Sequence, residues 1–271
     1  MARLGVALQL FGVREEMDKD AVGTLRAVAG LGYRAVELVA YYGTYGLSAA
    51  ELKRTLGDLE LTPIGVHLRT ADLQERFEET AVYYRDAGVP EMVVATLPHE
   101  YYESADGFRR GGELLGELAR RCRAAGLGLS YHNHYSEFVP VGGDGHGLDL
   151  IFESVGGEDV GLEADVYWIT HAGADAVAVL RRYADRCRFV HLKDRPAGLD
   201  AATVEAARAG RVDRSRMFAE VGEGSIDWPS IFAAAEATAA KWYVVEQDAS
   251  ARGALESAAI SLRHLKEWGK A

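Results

Sequence analysis

The chain has 271 residues, 48% of them hydrophobic, and a formal net charge of -11 at pH 7. This length suffices for one large α/β domain with a substantial core. The negative balance argues against a nucleic-acid partner, which would require a surplus of Lys and Arg on one face. Small-molecule chemistry is therefore the first hypothesis.

Cysteine usage and hydropathy bear on the compartment. Cys122 and Cys187 are the only cysteines and have no CxxC spacing, so neither a disulfide scaffold nor a zinc ribbon is indicated. The apolar stretch after Arg3 does not have the pattern of a signal peptide, and no apolar run reaches the length of a membrane span. We expect a cytoplasmic protein without a membrane partner.

Eight short apolar or alternating runs predict eight β-strands, at residues 4–10, 34–39, 62–68, 91–96, 127–133, 160–166, 187–193 and 242–247. Amphipathic helical stretches separate them, and one of these opens on Ser48 with Glu51 three residues later, a capping-box pattern. Repeated βα units without a linker predict a single (β/α)₈ TIM barrel over residues 1–271. A longer polar loop insert, about residues 195–226, carries its own helical piece, "DAATVEAARAG".

Polar side chains gather at the carboxyl ends of the predicted strands, where the functional residues of such barrels stand. They are Gln9, Glu37, His67, His132, Asn133, His134, Asp165, His191, Lys193, Glu246 and Gln247. So many ionisable groups at one mouth are costly unless a cation is shared among them. Asp165, His191 and Glu246, with one nitrogen from the His132–His134 cluster, would offer mixed oxygen and nitrogen ligands. Such a set suits one divalent ion, Mn²⁺, Zn²⁺, Co²⁺ or Fe²⁺, better than Mg²⁺ or Ca²⁺.

Two of these residues have a structural interpretation beside the functional one. Glu37 either contacts a substrate or pairs with an Arg across the mouth of the barrel. His67 either contacts a substrate oxygen or is a hydrogen-bonded histidine of the core. The pair His132 and His134 favours function, because two buried imidazoles on either side of an Asn are difficult to satisfy structurally.

Several motifs together resemble one family. They are "YHNH" after strand five, "LEADVYW" on strand six, "HLKD" on strand seven, "VGEGSIDW" before the following helix and "YVVEQD" on strand eight. This combination resembles the xylose isomerase-like TIM-barrel superfamily of sugar isomerases and epimerases. The segments "ALQLFGVREEM" and "YRAVEL" are similar to its sugar phosphate isomerase/epimerase branch, near the inosose dehydratases.

The resemblance implies a ligand set. Many relatives have "ENH" after strand five, and its Glu binds a metal together with an Asp, a His and a Glu from strands six, seven and eight. The corresponding ligands here are His132, Asp165, His191 and Glu246. His132 replaces a carboxylate with an imidazole, which removes one negative charge. Glu137, His134 or a water molecule remain alternatives for the fourth ligand.

The resemblance also implies an activity: isomerisation or epimerisation of a ketose, keto-inositol or related polyol by proton abstraction next to a carbonyl. Glu246 and Glu137 are the acid/base candidates, and Lys193 would steady an enolate or donate a proton. The expected substrate-binding residues are Gln9, Glu37, His67, His134, Trp168 and Gln247, with Tyr41, Tyr42 and Tyr45 extending an apolar wall from Trp168.

Three other functions stay open. A lyase that is inosose dehydratase-like or eliminates a 3-keto-glycoside would begin with the same proton abstraction. A non-catalytic sugar-binding barrel would share the fold. An apurinic endonuclease of the same superfamily is opposed by the net charge. The acidic end of strand eight, Glu246-Gln247-Asp248, favours an unphosphorylated substrate, and a homodimer is the family expectation.

Overall fold

Eight parallel strands form a closed barrel in the computed structural model, which describes residues 4–40, 43–139 and 145–271. The strands are β1 Gly5–Gln9, β2 Ala35–Val39, β3 Thr62–Arg69, β4 Glu91–Thr96, β5 Gly128–His132, β6 Val160–Asp165, β7 Cys187–Leu192 and β8 Trp242–Val245. Each strand pairs with the next along the chain, and β8 pairs with β1. The predicted barrel is confirmed, and every strand end lies within about two residues of the prediction, the usual uncertainty of such boundaries.

Helices alternate with the strands around the barrel. They are α1 Arg14–Lys19, α2 Ala21–Leu31, α3 Ala49–Asp58, α4 Thr70–Glu75, α5 Phe77–Asp86, α6 Ala105–Ala124, α7 Gly147–Glu153, α8 Val166–His171, α9 Ala176–Arg182, α10 Ala201–Arg208, α11 Trp228–Ala235 and α12 Ala254–Glu267. Ser48 and Glu51 form the expected reciprocal cap of α3. None of the helices in the described ranges is long and apolar enough to cross a membrane.

Alternation along the strands divides the interior of the barrel into an apolar layer and a polar layer. Ala7, Ala35, Ile64, Phe189 and Val244 form one buried cluster. Alternate residues of a strand share a face. Two positions further along four of these strands, the same face therefore presents the polar residues Gln9, Glu37, His191 and Glu246. This period of two explains why the polar side chains meet at the carboxyl end.

Asp194, directly after β7, holds both ends of the long insert. Its carboxylate accepts hydrogen bonds from five donors, which are the backbone N–H groups of Arg195 (2.8 Å), Gly222 (3.0 Å), Gly224 (3.1 Å) and Ile226 (3.1 Å) and the indole N–H of Trp228 (2.7 Å). Within the insert, Met217 and Phe218 pack with Tyr167 and Trp168. The insert therefore covers part of the barrel mouth.

Candidate metal centre at the barrel mouth

Strands β5 to β8 bring four of the predicted side chains to one point. His132 ends β5, Asp165 ends β6, His191 lies on β7, and Glu246 follows β8. The potential ligand atoms of these four residues all lie within 4.8 Å of one another. Each of the four side chains belongs to a residue that is at most 5% exposed. The structure thus assembles the ligand set that the sequence suggested.

The distances within this group fit a metal ion. His191 Nδ1 lies 3.1 Å from Glu246 Oε2, and His132 Nε2 lies 3.8 Å from Asp165 Oδ2. Ligands at bond lengths of about 2.1 Å in a tetrahedral site stand about 3.4 Å apart. Asp165 Oδ2 is also buried and accepts no hydrogen bond within the described ranges, although the Lys193 ammonium lies 3.3 Å from it as an ion-pair partner. A buried carboxylate oxygen of this kind is suited to a cation.

Lys193 is the cation that the protein itself places among these carboxylates. Its Nζ lies 2.9 Å from Glu246 Oε2, 3.1 Å from Asp248 Oδ1 and 3.3 Å from Asp165 Oδ2. Burial opposes the charge, but the carboxylates of Asp165, Asp248 and Glu246 raise the pKa of Lys193 well above its usual value. Burial likewise opposes ionisation of Glu246, yet Lys193 and a hydrogen bond from His191 hold the pKa of Glu246 well below its usual range. Both groups are therefore charged at neutral pH.

A second histidine cluster adjoins the first but has a different character. Glu163 Oε2 lies 2.6 Å from His67 Nε2, 2.9 Å from His132 Nδ1 and 3.2 Å from His191 Nε2. These are hydrogen-bond distances that converge on one oxygen atom. Burial opposes ionisation of Glu163, but His191 and His67 hold the pKa of this carboxyl well below its usual range. We interpret this cluster as a hydrogen-bonded support and not as a second metal site.

The sequence reasoning did not select Glu163, although a signal was present. Glu163 and Asp165 stand two residues apart in "LEAD", so both side chains point to the same face of β6. The expectation that polar residues occur only at strand ends excluded Glu163 from consideration. A buried carboxylate inside a barrel strand is itself informative, because it requires donors from neighbouring strands.

Gln9 and Glu37 join the same hydrogen-bond network. Gln9 Nε2 donates to Glu37 Oε2 at 2.8 Å, and Glu37 Oε2 lies 2.9 Å from His191 Nε2 and 3.4 Å from His67 Nε2. The Arg partner considered for Glu37 is wrong, because these three side chains surround its Oε2 atom. Burial, followed by the nearby charge of Glu163, raises the pKa of Glu37 to about 7. As substrate contacts, Gln9, Glu37 and His67 remain predictions.

Glu137 is buried apart from the four gathered ligand atoms. One of its oxygens accepts a hydrogen bond from the Tyr131 hydroxyl, and the other accepts one from the His134 backbone N–H at 3.2 Å. Burial raises the pKa of Glu137 to about 7. Among the alternatives for the fourth ligand, the geometry therefore favours His132 over Glu137.

The remaining predicted residues lie around this group. The His134 ring stands 4.9 Å from the His132 ring and 5.5 Å from Trp168, and its Nδ1 is buried without a hydrogen-bond partner in the part of the chain that the structure describes. The Trp168 ring lies 5.5 Å from Lys193 Nζ. Gln247 lines a cavity of about 320 Å³ beside the mouth. Tyr45 contributes to loop packing, since its hydroxyl donates to the Val39 carbonyl at 2.6 Å.

Tyr41 and Tyr42, which were expected to extend the apolar wall, lie outside the described residues.

With this geometry established, comparison with known proteins assigns the family. A model described as "Xylose isomerase-like TIM barrel" matches residues 25–268. The chain belongs to this family. It is 31% identical to the rhizopine catabolism protein MocC of Rhizobium meliloti over 80% of this chain and 71% of that protein. It is 26% identical to an inosose dehydratase of Clostridium perfringens over 65% of this chain and 60% of the dehydratase.

Solved structures of other proteins have the same barrel. A sugar phosphate isomerase/epimerase from Parabacteroides distasonis superposes with a TM-score of 0.78 and 23% identity, covering 98% of this chain and 94% of that one. The IolI protein, solved with a bound zinc atom, superposes with a TM-score of 0.73 and 14% identity, covering 97% of this chain and 98% of that one. At these identities the likeness concerns the fold.

Proposed function

We propose that this protein is a divalent-metal-dependent enzyme that removes a proton next to the carbonyl of a small sugar, keto-inositol or related polyol, leading to isomerisation or epimerisation. The observation that carries the proposal is the buried group of His132, Asp165, His191 and Glu246 beside the ammonium of Lys193. The zinc atom in the structure of IolI supports a metal in this family.

His132, Asp165, His191 and Glu246 would hold the ion, which when bound supplies the Lewis acidity that polarises a carbonyl group. Glu246, ionised and adjacent to Lys193, is the proposed proton acceptor. The Lys193 ammonium is positioned to stabilise negative charge as it develops on a substrate oxygen. Glu137, with a pKa of about 7, is the second acid/base candidate, because it can hold or release a proton near neutral pH.

The proposed substrate contacts fall into two groups. His134 Nδ1 and Gln247 Nε2 have no hydrogen-bond partner within the described residues, so they are free to bind hydroxyl groups. Trp168 offers an aromatic face to the C–H surface of a sugar ring. Gln9, Glu37 and His67 already bind one another or His191, and each would have to exchange a partner to contact the substrate.

A lyase is the second candidate function, favoured by the sequence similarity to inosose dehydratases. Elimination of water or of a glycoside would start from the same proton abstraction by the same residues. The two reactions differ in their products, because elimination creates an enone that absorbs in the ultraviolet and epimerisation does not.

The first experiment is elemental mass spectrometry of the purified protein and of three variants, Asp165→Ala, His132→Ala and Glu137→Ala. We expect about one divalent ion per chain, in line with one tetrahedral ligand set. The ion should be lost in Asp165→Ala and His132→Ala and retained in Glu137→Ala. A wild-type protein that binds neither Mn²⁺ nor Zn²⁺ would overturn the metal-dependent proposal and leave a sugar-binding barrel.

Incubation with keto-inositols and ketoses in D₂O then tests the chemistry. In isomerisation or epimerisation the carbanion is reprotonated from solvent, so deuterium enters the product. In elimination the same C–H bond breaks, but the carbanion expels the leaving group and need not regain hydrogen at that carbon. An ultraviolet-absorbing product therefore identifies a lyase, and deuterium incorporation without such a product identifies an isomerase or epimerase. If neither is seen with any of these substrates, in a protein that holds its metal, catalysis on this substrate class is contradicted.

A further inference from the structure

Glu163 stands behind two of the proposed ligands, on the side that faces away from Asp165 and Glu246. Its Oε2 atom lies 2.9 Å from His132 Nδ1 and 3.2 Å from His191 Nε2, whereas His132 Nε2 and His191 Nδ1 face Asp165 and Glu246. We propose that Glu163 is the positioning residue of the metal centre, which sets the orientation of both histidines and the tautomer of His132. This inference rests on the proposed function only in assuming that the site takes a metal.

The tautomer of His132 follows from the chemistry of the two groups. A carboxylate only accepts hydrogen bonds, so an imidazole nitrogen within hydrogen-bond distance of it carries the proton. His132 Nδ1 lies at such a distance from Glu163 Oε2, 2.9 Å, whereas His132 Nε2 is 3.8 Å from Asp165 Oδ2. A neutral imidazole has one N–H and one lone pair, and His132 therefore has its lone pair on Nε2, towards Asp165. Metal ligation requires this unprotonated nitrogen, and ligating histidines commonly donate their other N–H to a carboxylate in this way.

His191 is held by two carboxylates on the same side of its ring. Glu37 Oε2 lies 2.9 Å and Glu163 Oε2 lies 3.2 Å from its Nε2. The orientation of Gln9 locks this arrangement, because Gln9 Oε1 accepts from the Phe11 backbone N–H at 3.1 Å and thereby directs Gln9 Nε2 to Glu37. Within the described residues, Glu163 is the carboxylate that lies within hydrogen-bond distance of both His132 and His191.

A buried glutamate at the other end of the barrel gives a matched control. Glu91, the first residue of β4, lies at the opposite end of the barrel and pairs with Arg188, and its carboxylate accepts from the Ser130 hydroxyl at 2.6 Å. Glu163 is likewise surrounded by donors, but they are three imidazoles, two of which belong to the proposed ligand set. Substitution of either glutamate therefore removes a buried carboxylate, but only substitution of Glu163 also removes a contact to proposed metal ligands.

The experiment has two readouts, which are applied to the wild type and to Glu163→Gln, Glu163→Leu, Glu91→Gln and Glu91→Leu. The first is ¹⁵N NMR of histidine-labelled, metal-free protein, in which His132 is assigned from the signal lost in His132→Gln. We expect the proton of His132 on Nδ1 in the wild type and in Glu163→Gln, which keeps an acceptor oxygen, and not in Glu163→Leu.

The second readout is the affinity for Co²⁺ or Zn²⁺ alone, measured by titration. Loss of the acceptor in Glu163→Leu should weaken the affinity for the metal ion by about 10- to 100-fold, the usual effect of removing a hydrogen-bond partner of a ligating histidine. Neither Glu91 variant should change it. Should Glu163→Leu not fold, the wild-type tautomer still decides the matter, because a His132 proton on Nε2 overturns the assignment.

The two proposals fail in different ways. If the wild type binds no divalent ion, metal dependence fails, while the histidine tautomer in the metal-free protein still tests the role of Glu163. If the wild type binds metal and Glu163→Leu binds it equally tightly with an unchanged tautomer, the positioning role is refuted and the metal centre stands.

Discussion

Replacing the carboxyl of Glu137 by an amide should change how stability depends on pH. Burial raises the pKa of Glu137 from its ordinary value of 4.5 to about 7 in the folded protein. The folded state therefore holds this proton more tightly than the unfolded chain does. The stabilisation from the proton is fully present below pH 4.5 and is lost as the pH rises through 7. A rise of this size corresponds to about 3 kcal/mol.

The amide of Glu137→Gln does not titrate, so the free energy of unfolding of this variant lacks the pH-dependent contribution of the Glu137 carboxyl. Relative to the wild type, its free energy of unfolding should increase by about 3 kcal/mol between pH 4.5 and pH 8. Urea denaturation of both proteins at pH 4.5, 6, 7 and 8 measures the difference. The amide can still form hydrogen bonds with Tyr131 and His134. Any cost of the substitution that does not depend on pH is the same at every pH, so it cancels when the two pH profiles are compared.

Glu113→Gln on the exposed face of α6 is the control, and its difference from the wild type should not follow this pH course. Parallel stability profiles for Glu137→Gln and the wild type over the whole range would refute the reasoning. Such a result would mean that Glu137 has the same pKa in the folded and the unfolded protein, and its candidacy as an acid/base group that titrates near neutral pH would end.

Four further substitutions test the packing, the hydrogen bonds and the helix cap of the barrel. Gly112→Ala should lower the free energy of unfolding by about 1–3 kcal/mol in urea denaturation, because a Cβ atom there would lie 2.1 Å from the Ile151 carbonyl oxygen. At Gly57 no atom lies within 4 Å of the added Cβ, so Gly57→Ala should stabilise α3 by up to about 1 kcal/mol. Equal effects of the two substitutions would contradict this packing. Asp194→Ala leaves five donors without their acceptor, so it should lower the free energy of unfolding by about 3 kcal/mol or more and accelerate amide hydrogen exchange at residues 222–226. Unchanged exchange would show that other contacts hold the insert. Ser48→Ala should cost about 1 kcal/mol through loss of the α3 cap, and an unchanged midpoint would assign that cap no energetic role.

Much of the site could be predicted from the sequence, because the carboxyl ends of all the strands of a parallel barrel lie at the same end of the barrel. Asp165, His191, Glu246 and the His132–His134 cluster were selected because each lies near the end of a predicted strand, and parallel strands of a barrel bring these ends together. The family resemblance then indicated His132 within that cluster. The structure does gather their ligand atoms. That inference needed the strand boundaries only to within a residue or two.

The partners of each side chain were not accessible in this way. From the sequence, Glu137 stayed an alternative to His132 as the fourth ligand. The distinction between them depends on the turn after β5, where the Tyr131 hydroxyl and the His134 N–H donate hydrogen bonds to Glu137. The same limitation applied to Glu37, for which an Arg partner was considered and which instead binds Gln9, His67 and His191.

The sequence by itself determined the eight strands, the cap of α3 and the end of the barrel at which polar groups collect, because hydrophobic period and capping act between residues that are close along the chain. Only the tertiary structure decided which groups bind one another. The pairing register shifts between Leu162 and Glu163 and between Val36 and Glu37, at two glutamates that each lie against more than one histidine. Such shifts arise when neighbouring strands pair and the barrel closes, so they depend on contacts between segments far apart in the sequence.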